Sequence, residues 1–109
     1  MSPRDRVRQQ IEQLLPSVFC LVAECGPGEQ AEVQVGAYKV RRDIYGLVRV
    51  HEHGPGVANE PVVMAQLHWF SDGTTRPVIE HITDDWYRVS ELVDELGREL
   101  VLYRLAQLG

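Results

Sequence analysis

Residues 62–82, VVMAQLHWFSDGTTRPVIEHI, read as two strands joined by a tight turn at Ser71-Asp72-Gly73-Thr74. Asp-Gly between two runs rich in β-branched and aromatic residues is a strong short-range hairpin signal. The first arm, 62–70, carries Val63, Ala65, Leu67 and Trp69 on one face and Val62, Met64 and Phe70 on the other. A strand with one wet face alternates cleanly, so this arm is expected to be covered on both sides. The second arm is placed at 75–82.

Upstream of the hairpin, residues 47–53 (LVRVHEH) alternate, with Val48 and Val50 on one face and Arg49, His51 and His53 on the other. Residues 30–42 alternate as well but are interrupted at Gly36, so they form one bent strand or two short ones. Residues 18–25 (VFCLVAEC) are a continuous apolar run closed by Gly26-Pro27-Gly28, the pattern of a buried strand. Cys20 and Cys25 then point to opposite faces about 16 Å apart, too far for a disulfide, and are expected as buried, reduced thiols. Residues 54–61 are too rich in glycine and proline to be regular.

Both ends read as helices. Ser2-Pro3 supplies an N-cap and a proline at the first helical position. Val7, Ile11, Leu14 and Leu15 share one side of a helix over 3–15, and Pro16 is expected to stop it. At the other end, Thr83, Asp84 and Asp85, or else Ser90, can cap a helix starting between 86 and 91 and ending near Leu108. Gly97 costs that helix about 1 kcal/mol relative to alanine, and a last strand over 98–108 is the weaker alternative. The expected fold is therefore α+β: an N-terminal helix, a five-stranded, mainly antiparallel meander and a long C-terminal helix. Both helices are expected on one face of the sheet.

Length and composition bound the function. A chain of 109 residues is one domain, 1–109, large enough for a core without staples. With 44% hydrophobic and 25% charged residues it has a globular composition. No apolar run approaches the roughly 18 residues that span a bilayer, and the arginine-rich start lacks a signal peptide's apolar segment. A cytoplasmic protein is expected, with no membrane partner. The net charge is −5, and residues 60–109 carry the whole excess, with four arginines against nine acids. Nucleic-acid binders show a basic stripe, so direct nucleic-acid binding is not expected.

Three groups of residues invite a functional reading. His51 and His53 lie on one side of a strand, about 7 Å apart, with His68 and His81 on the hairpin. Three such ligands hold a catalytic zinc or iron. The His-X-His spacing with a later His81 resembles the metal site of the cupins, over His51, His53 and His81 alone. Glu60 lies too far along the chain for that family's carboxylate, and its second glycine–proline motif is absent. The second group, Glu91, Asp94, Glu95 and Glu99, forms an acidic helix face opposite Leu92 and Leu96, suited to docking a basic partner. The third is the apolar excess of residues 100–108: Val101, Leu102, Leu105 and Leu108 widen the stripe beyond the 100° or so that one sheet covers. Such a surplus points to a second chain, most simply a two-fold dimer. No nucleophile elbow or phosphate loop is present.

The leading expectation is a small, non-catalytic, homodimeric interaction protein that binds a protein partner and holds no cofactor. A histidine metal site with zinc or iron is the alternative, and small-ligand binding between helix and sheet is a third.

Overall fold

The computed structural model describes residues 2–23, 28–54 and 60–108. In chain order the elements are α1 (Pro3–Leu21), β1 (Ala31–Val35), β2 (Tyr38–Arg42), β3 (Val48–Glu52), β4 (Val63–Trp69), β5 (Thr75–Ile82) and α2 (Trp86–Leu108). The strands form one antiparallel sheet in the order β1-β2-β3-β4-β5. This is the expected α+β meander between two helices.

The membership of the meander differs from expectation at one end. Residues 18–21 are not a strand: α1 runs through Pro16 to Leu21. Ile11, Leu15, Val18 and Val22 are all buried, and their spacing of four, three and four residues keeps one helical stripe facing the core. That burial outweighs the proline. The fifth strand comes instead from residues 30–42, which divide into β1 and β2 at Gly36-Ala37. Gly36 has φ +57 and no described non-glycine residue, Ala37 included, has positive φ, the requirement of a two-residue turn with glycine at its first central position. A Cβ at Gly36 would lie 2.6 Å from the Glu99 side chain, so the position is closed to larger residues twice over. Cys20 follows the helix and is exposed rather than buried, and Cys25 falls outside the described residues.

The caps match the residues that supply them. The Asp5 amide donates to Ser2 Oγ at 3.2 Å, with Pro3 in the first turn of α1. At α2 the Arg88 amide donates to Asp85 Oδ1 at 3.3 Å. Gly97 does not break α2, which continues to Leu108.

The hairpin 62–82 forms with its turn closed by the Phe70 amide on the Thr74 carbonyl, while Asp72 Oδ1 accepts from the Thr74 amide and hydroxyl. Its first arm is not covered on both sides. Val63 and Ala65 face the helices and are buried, but Leu67 and Trp69, farther along the same face, are 51% and 80% exposed. The helices cover only the first half of β4. Between Met64 and Ala65 the register with β5 shifts: Met64 pairs with His81 and Ala65 with Ile79, leaving Glu80 as the extra residue of a bulge.

Both helices lie on one face of the sheet and run parallel. Arg4 stacks over Trp86 at their N-terminal ends, Leu14 meets Gly97 in the middle, and Ser17 Oγ accepts from Arg104 near their C-terminal ends. The core is the layer between them and Val40, Val48, Val50, Val63 and Ala65. Arg88, at the start of α2, bridges to Glu52 at 2.8 Å, tying that end of the helix to β3. The opposite face of the sheet carries no helix.

Candidate functional site

The apolar end of α2 stands clear of the core. Leu92, Leu96 and Leu100 are buried, whereas Val101, Leu102, Leu105 and Leu108 are 59%, 58%, 58% and 80% exposed. The change follows from which neighbours remain. Past Leu100 the helix keeps α1 beside it, through Tyr103, Arg104 and Gln107 along Ser17, Cys20 and Leu21. No described residue outside α2 lines the groove on its outer side. Val93, Asp94, Gly97, Arg98, Val101 and Leu102 line one shallow groove along that outer side, so the apolar end continues into a stretch holding one acid and one arginine.

The acidic residues do not form a single free face. Glu91, Glu95 and Glu99 follow one another every four residues along the flank of α2 over the β1–β2 turn, and Glu99 rests against Gly36. Tyr38 is buried beneath them, and its hydroxyl titrates well above the usual tyrosine range. Burial is the main cause, followed by the negative charges of Glu95, Glu52 and Glu91, with Glu95 in hydrogen-bond contact. Part of the acidic face is thus spent inside the molecule. Asp94 lies one residue off this line, exposed in the outer groove beside Arg98.

The histidines are separated by topology. His51 on β3 pairs with Lys39 of β2, and β4 lies between it and His81 on β5. Two strand spacings, about 9.6 Å, therefore divide His51 from His81. His53 lies beyond the end of β3, its amide bonded to the Ala37 carbonyl. His68 is exposed and paired with Glu80. No three of the described His, Cys, Asp and Glu residues are grouped to hold a metal ion. The convergence expected of His51, His53 and His81 fails because β4 stands between the strands that would have to meet.

His51 itself is not the solvated residue its strand position suggested. It is 8% exposed, and both ring nitrogens are buried without a hydrogen-bond partner. Burial lowers its pKa, and Arg41, Arg49 and Lys39 lower it further, against a smaller opposing effect of Glu32. The folded state thus favours the neutral ring. Below the ordinary value of 6.5 the unfolded chain binds the proton first, so stability present above that pH is lost as the pH falls toward the folded-state pKa. Urea unfolding at about pH 7.5 and about pH 5.5, a window above most carboxylate titration, is expected to show this loss. His51→Phe should flatten it, and equal slopes for both proteins would remove His51 as its cause.

Beside His51, Asp43 organises the β2–β3 connection. Its Oδ1 accepts from the Tyr45 and Leu47 amides, and its Oδ2 from Arg49 Nη1 at 3.0 Å. Burial would raise its pKa, but the two amides and Arg49 outweigh it and hold the carboxyl below the usual range. The sequence pointed to neither this arrangement nor the burial of His51. The available signal was the alternation of Lys39, Arg41 and Arg49, His51 on two successive strands.

These features define an α+β domain with parallel helices on one face of a meander sheet, an open second face and an uncovered helix end. No helix among the described residues is long and apolar enough to cross a membrane. No protein-family model matches the chain, and neither a curated protein sequence nor a solved structure does.

Proposed function

We propose that this chain is a non-catalytic interaction protein of the cytoplasm that works as a two-fold homodimer and binds a protein partner. One observation carries the proposal: Val101, Leu102, Leu105 and Leu108 are each more than half exposed along one side of a helix whose earlier turns are buried in the core through Leu92, Leu96 and Leu100. Four large apolar side chains in water forfeit about 1.5–3 kcal/mol each relative to full burial. A second copy of the same helix is the simplest cover, because a two-fold contact uses one patch twice.

A stable interface takes about 800 Å² from each partner, more than four side chains offer. The contact therefore extends along the outer groove to Val93, Asp94 and Arg98. The exposed part of the acidic flank, Glu95, stays outside this contact and is left to face a basic partner, with the half-buried Glu91 and Glu99 behind it.

Sedimentation equilibrium at micromolar concentration tests the dimer. The wild type is expected at twice the monomer mass. Leu105→Glu is expected to weaken association about thirtyfold or more, the loss of about 2 kcal/mol typical of a central interface residue. Its helix content should not change, since Leu105 is more than half exposed in the monomer. A wild type that sediments as a monomer overturns the proposal.

A further inference from the structure

The open face of the sheet carries a block of four basic groups on two neighbouring strands. Arg41 of β2 stands directly opposite Arg49 of β3, and one row along Lys39 stands directly opposite His51. Like charges directly across an antiparallel pair, with Cβ atoms about 4.5–5.5 Å apart, destabilise the sheet. Here one such pair, Arg41 and Arg49, adjoins Lys39 opposite the buried His51, in a chain whose net charge is −5. Two carboxylates among the described residues are seen to answer them. Glu32 is shared between Lys39 at 3.1 Å and Arg41 at 3.3 Å. Asp43 is shared between Arg49 and two backbone amides. Arg49 gives Asp43 one of its N–H groups and has no other hydrogen-bond partner among the described residues.

Arg41, Arg49 and His51 of this block line a cradle of about 610 Å³, together with Glu32, Arg42 and Asp43. The buried His51, with neither ring nitrogen bonded, is an independent sign of a ligand site. An orphaned buried polar group costs about 1–3 kcal/mol, and such costs gather where a site needs them.

We propose that this cradle binds a phosphorylated small molecule, its phosphate seated between Arg41 and Arg49, with Lys39 adding positive charge from outside the lining. A phosphate carries a charge of about −1.5 to −2 and three acceptor oxygens, enough for two guanidinium forks. Arg49 is already oriented by Asp43. Among the described residues Arg41 is held by its exposed bridge to Glu32, the kind of pair that contributes little and exchanges readily for a dianion. The cradle is larger than a phosphate and within the range of small-molecule sites, about 300–1,000 Å³, so it has room for the rest of an ester over Ala31 and Pro61. A nucleic acid would need a longer basic stripe, and this row gives way to Met64 and His81 beyond Arg49. The bound dianion also offsets the field of Lys39, Arg41 and Arg49 at His51, to which Glu32 is the one opposing charge. Binding therefore raises the pKa of that ring.

Amide NMR titrations at low ionic strength test this with inorganic phosphate, adenosine monophosphate and, as a charge control, acetate. Saturable shifts are expected at residues 31–32, 41–43 and 49–51 with both phosphates and not with acetate, together with an upward move of the His51 imidazole pKa. Tighter binding of the monophosphate assigns the site to an ester; equal binding assigns it to the phosphate group alone, and either supports an anion site. Arg41→Gln should weaken binding about tenfold or more, the size of a charge-assisted hydrogen bond, while its spectrum away from β2 stays unchanged. Lys39→Gln, on the same block, should weaken it less. Shifts that fail to saturate, that appear equally with acetate, or that survive Arg41→Gln at full strength overturn the proposal.

Discussion

Leu96→Ala is expected to lower the stability of the fold by about 2–5 kcal/mol, a third or more of what a domain of this size commonly has. Leu96 is 1% exposed and sits where the three layers of the core converge. Around it Ile11, Leu15 and Val18 of α1, Val50 of β3, Val63 of β4 and Leu92 of α2 enclose a residual void of only about 10 Å³. The core is already full there. Removing three carbons opens a cavity walled by two helices and a sheet, which cannot all close in at once, so the lost contacts stay lost. Urea unfolding should show the midpoint moving down with the slope unchanged. Leu102→Ala, six residues along the same helix and 58% exposed, should cost less than about 0.5 kcal/mol in the monomer. A loss below about 1 kcal/mol at Leu96 would mean that α2 is not firmly seated on the sheet.

The elements that could be read from the sequence are those whose local signal and packing agree. The hairpin formed where Asp72-Gly73 placed it, and α2 starts at an Asp85 cap that the sequence shows directly. Residues 18–21 were harder because two signals conflict. The apolar run and its glycine–proline boundary describe a strand, while the spacing Ile11, Leu15, Val18, Val22 describes a helix that ignores Pro16. The stripe prevails because it continues a surface already buried against the sheet. The second half of β4 was misjudged for a different reason. Alternation in Leu67 and Trp69 tells which face they share, but not how far the helices reach along it. The basic block on the open face depends on register. Arg41 meets Arg49 only because the connection from Asp43 to Leu47 has its particular length and hydrogen bonds, and the strand alternation that puts His51 on the opposite face from Val50 gives no sign that it is buried. The apolar end of α2 was legible as a surplus, since a stripe wider than one sheet face can cover must leave residues over.

Pro16→Ala is expected to raise stability by about 1–3 kcal/mol. Proline inside a helix costs about 3 kcal/mol relative to alanine, because it lacks the N–H that would bond the carbonyl four residues back and its ring crowds that carbonyl. The carbonyl here belongs to Glu12. Pro16 is exposed, so its ring is not needed for packing, and the residues that hold this half of α1 in place are Leu15, Val18 and Val22. Their burial has to offset the proline before it contributes anything net. Alanine should restore the Glu12 bond and let the same stripe reach the core at lower cost. In a domain of this length, 1 kcal/mol moves the melting temperature by about 4–8 °C, so a thermal melt reads the change easily. The alternative is also physical: prolines bend helices, and a bend at Pro16 can be what seats Val18 and Val22 against the sheet. In that case Pro16→Ala would leave the melting temperature unchanged or lower it, because straightening α1 would lift its last turn off the core. A gain identifies Pro16 as a tolerated defect in α1; no gain identifies it as the reason residues 18–22 reach the core at all.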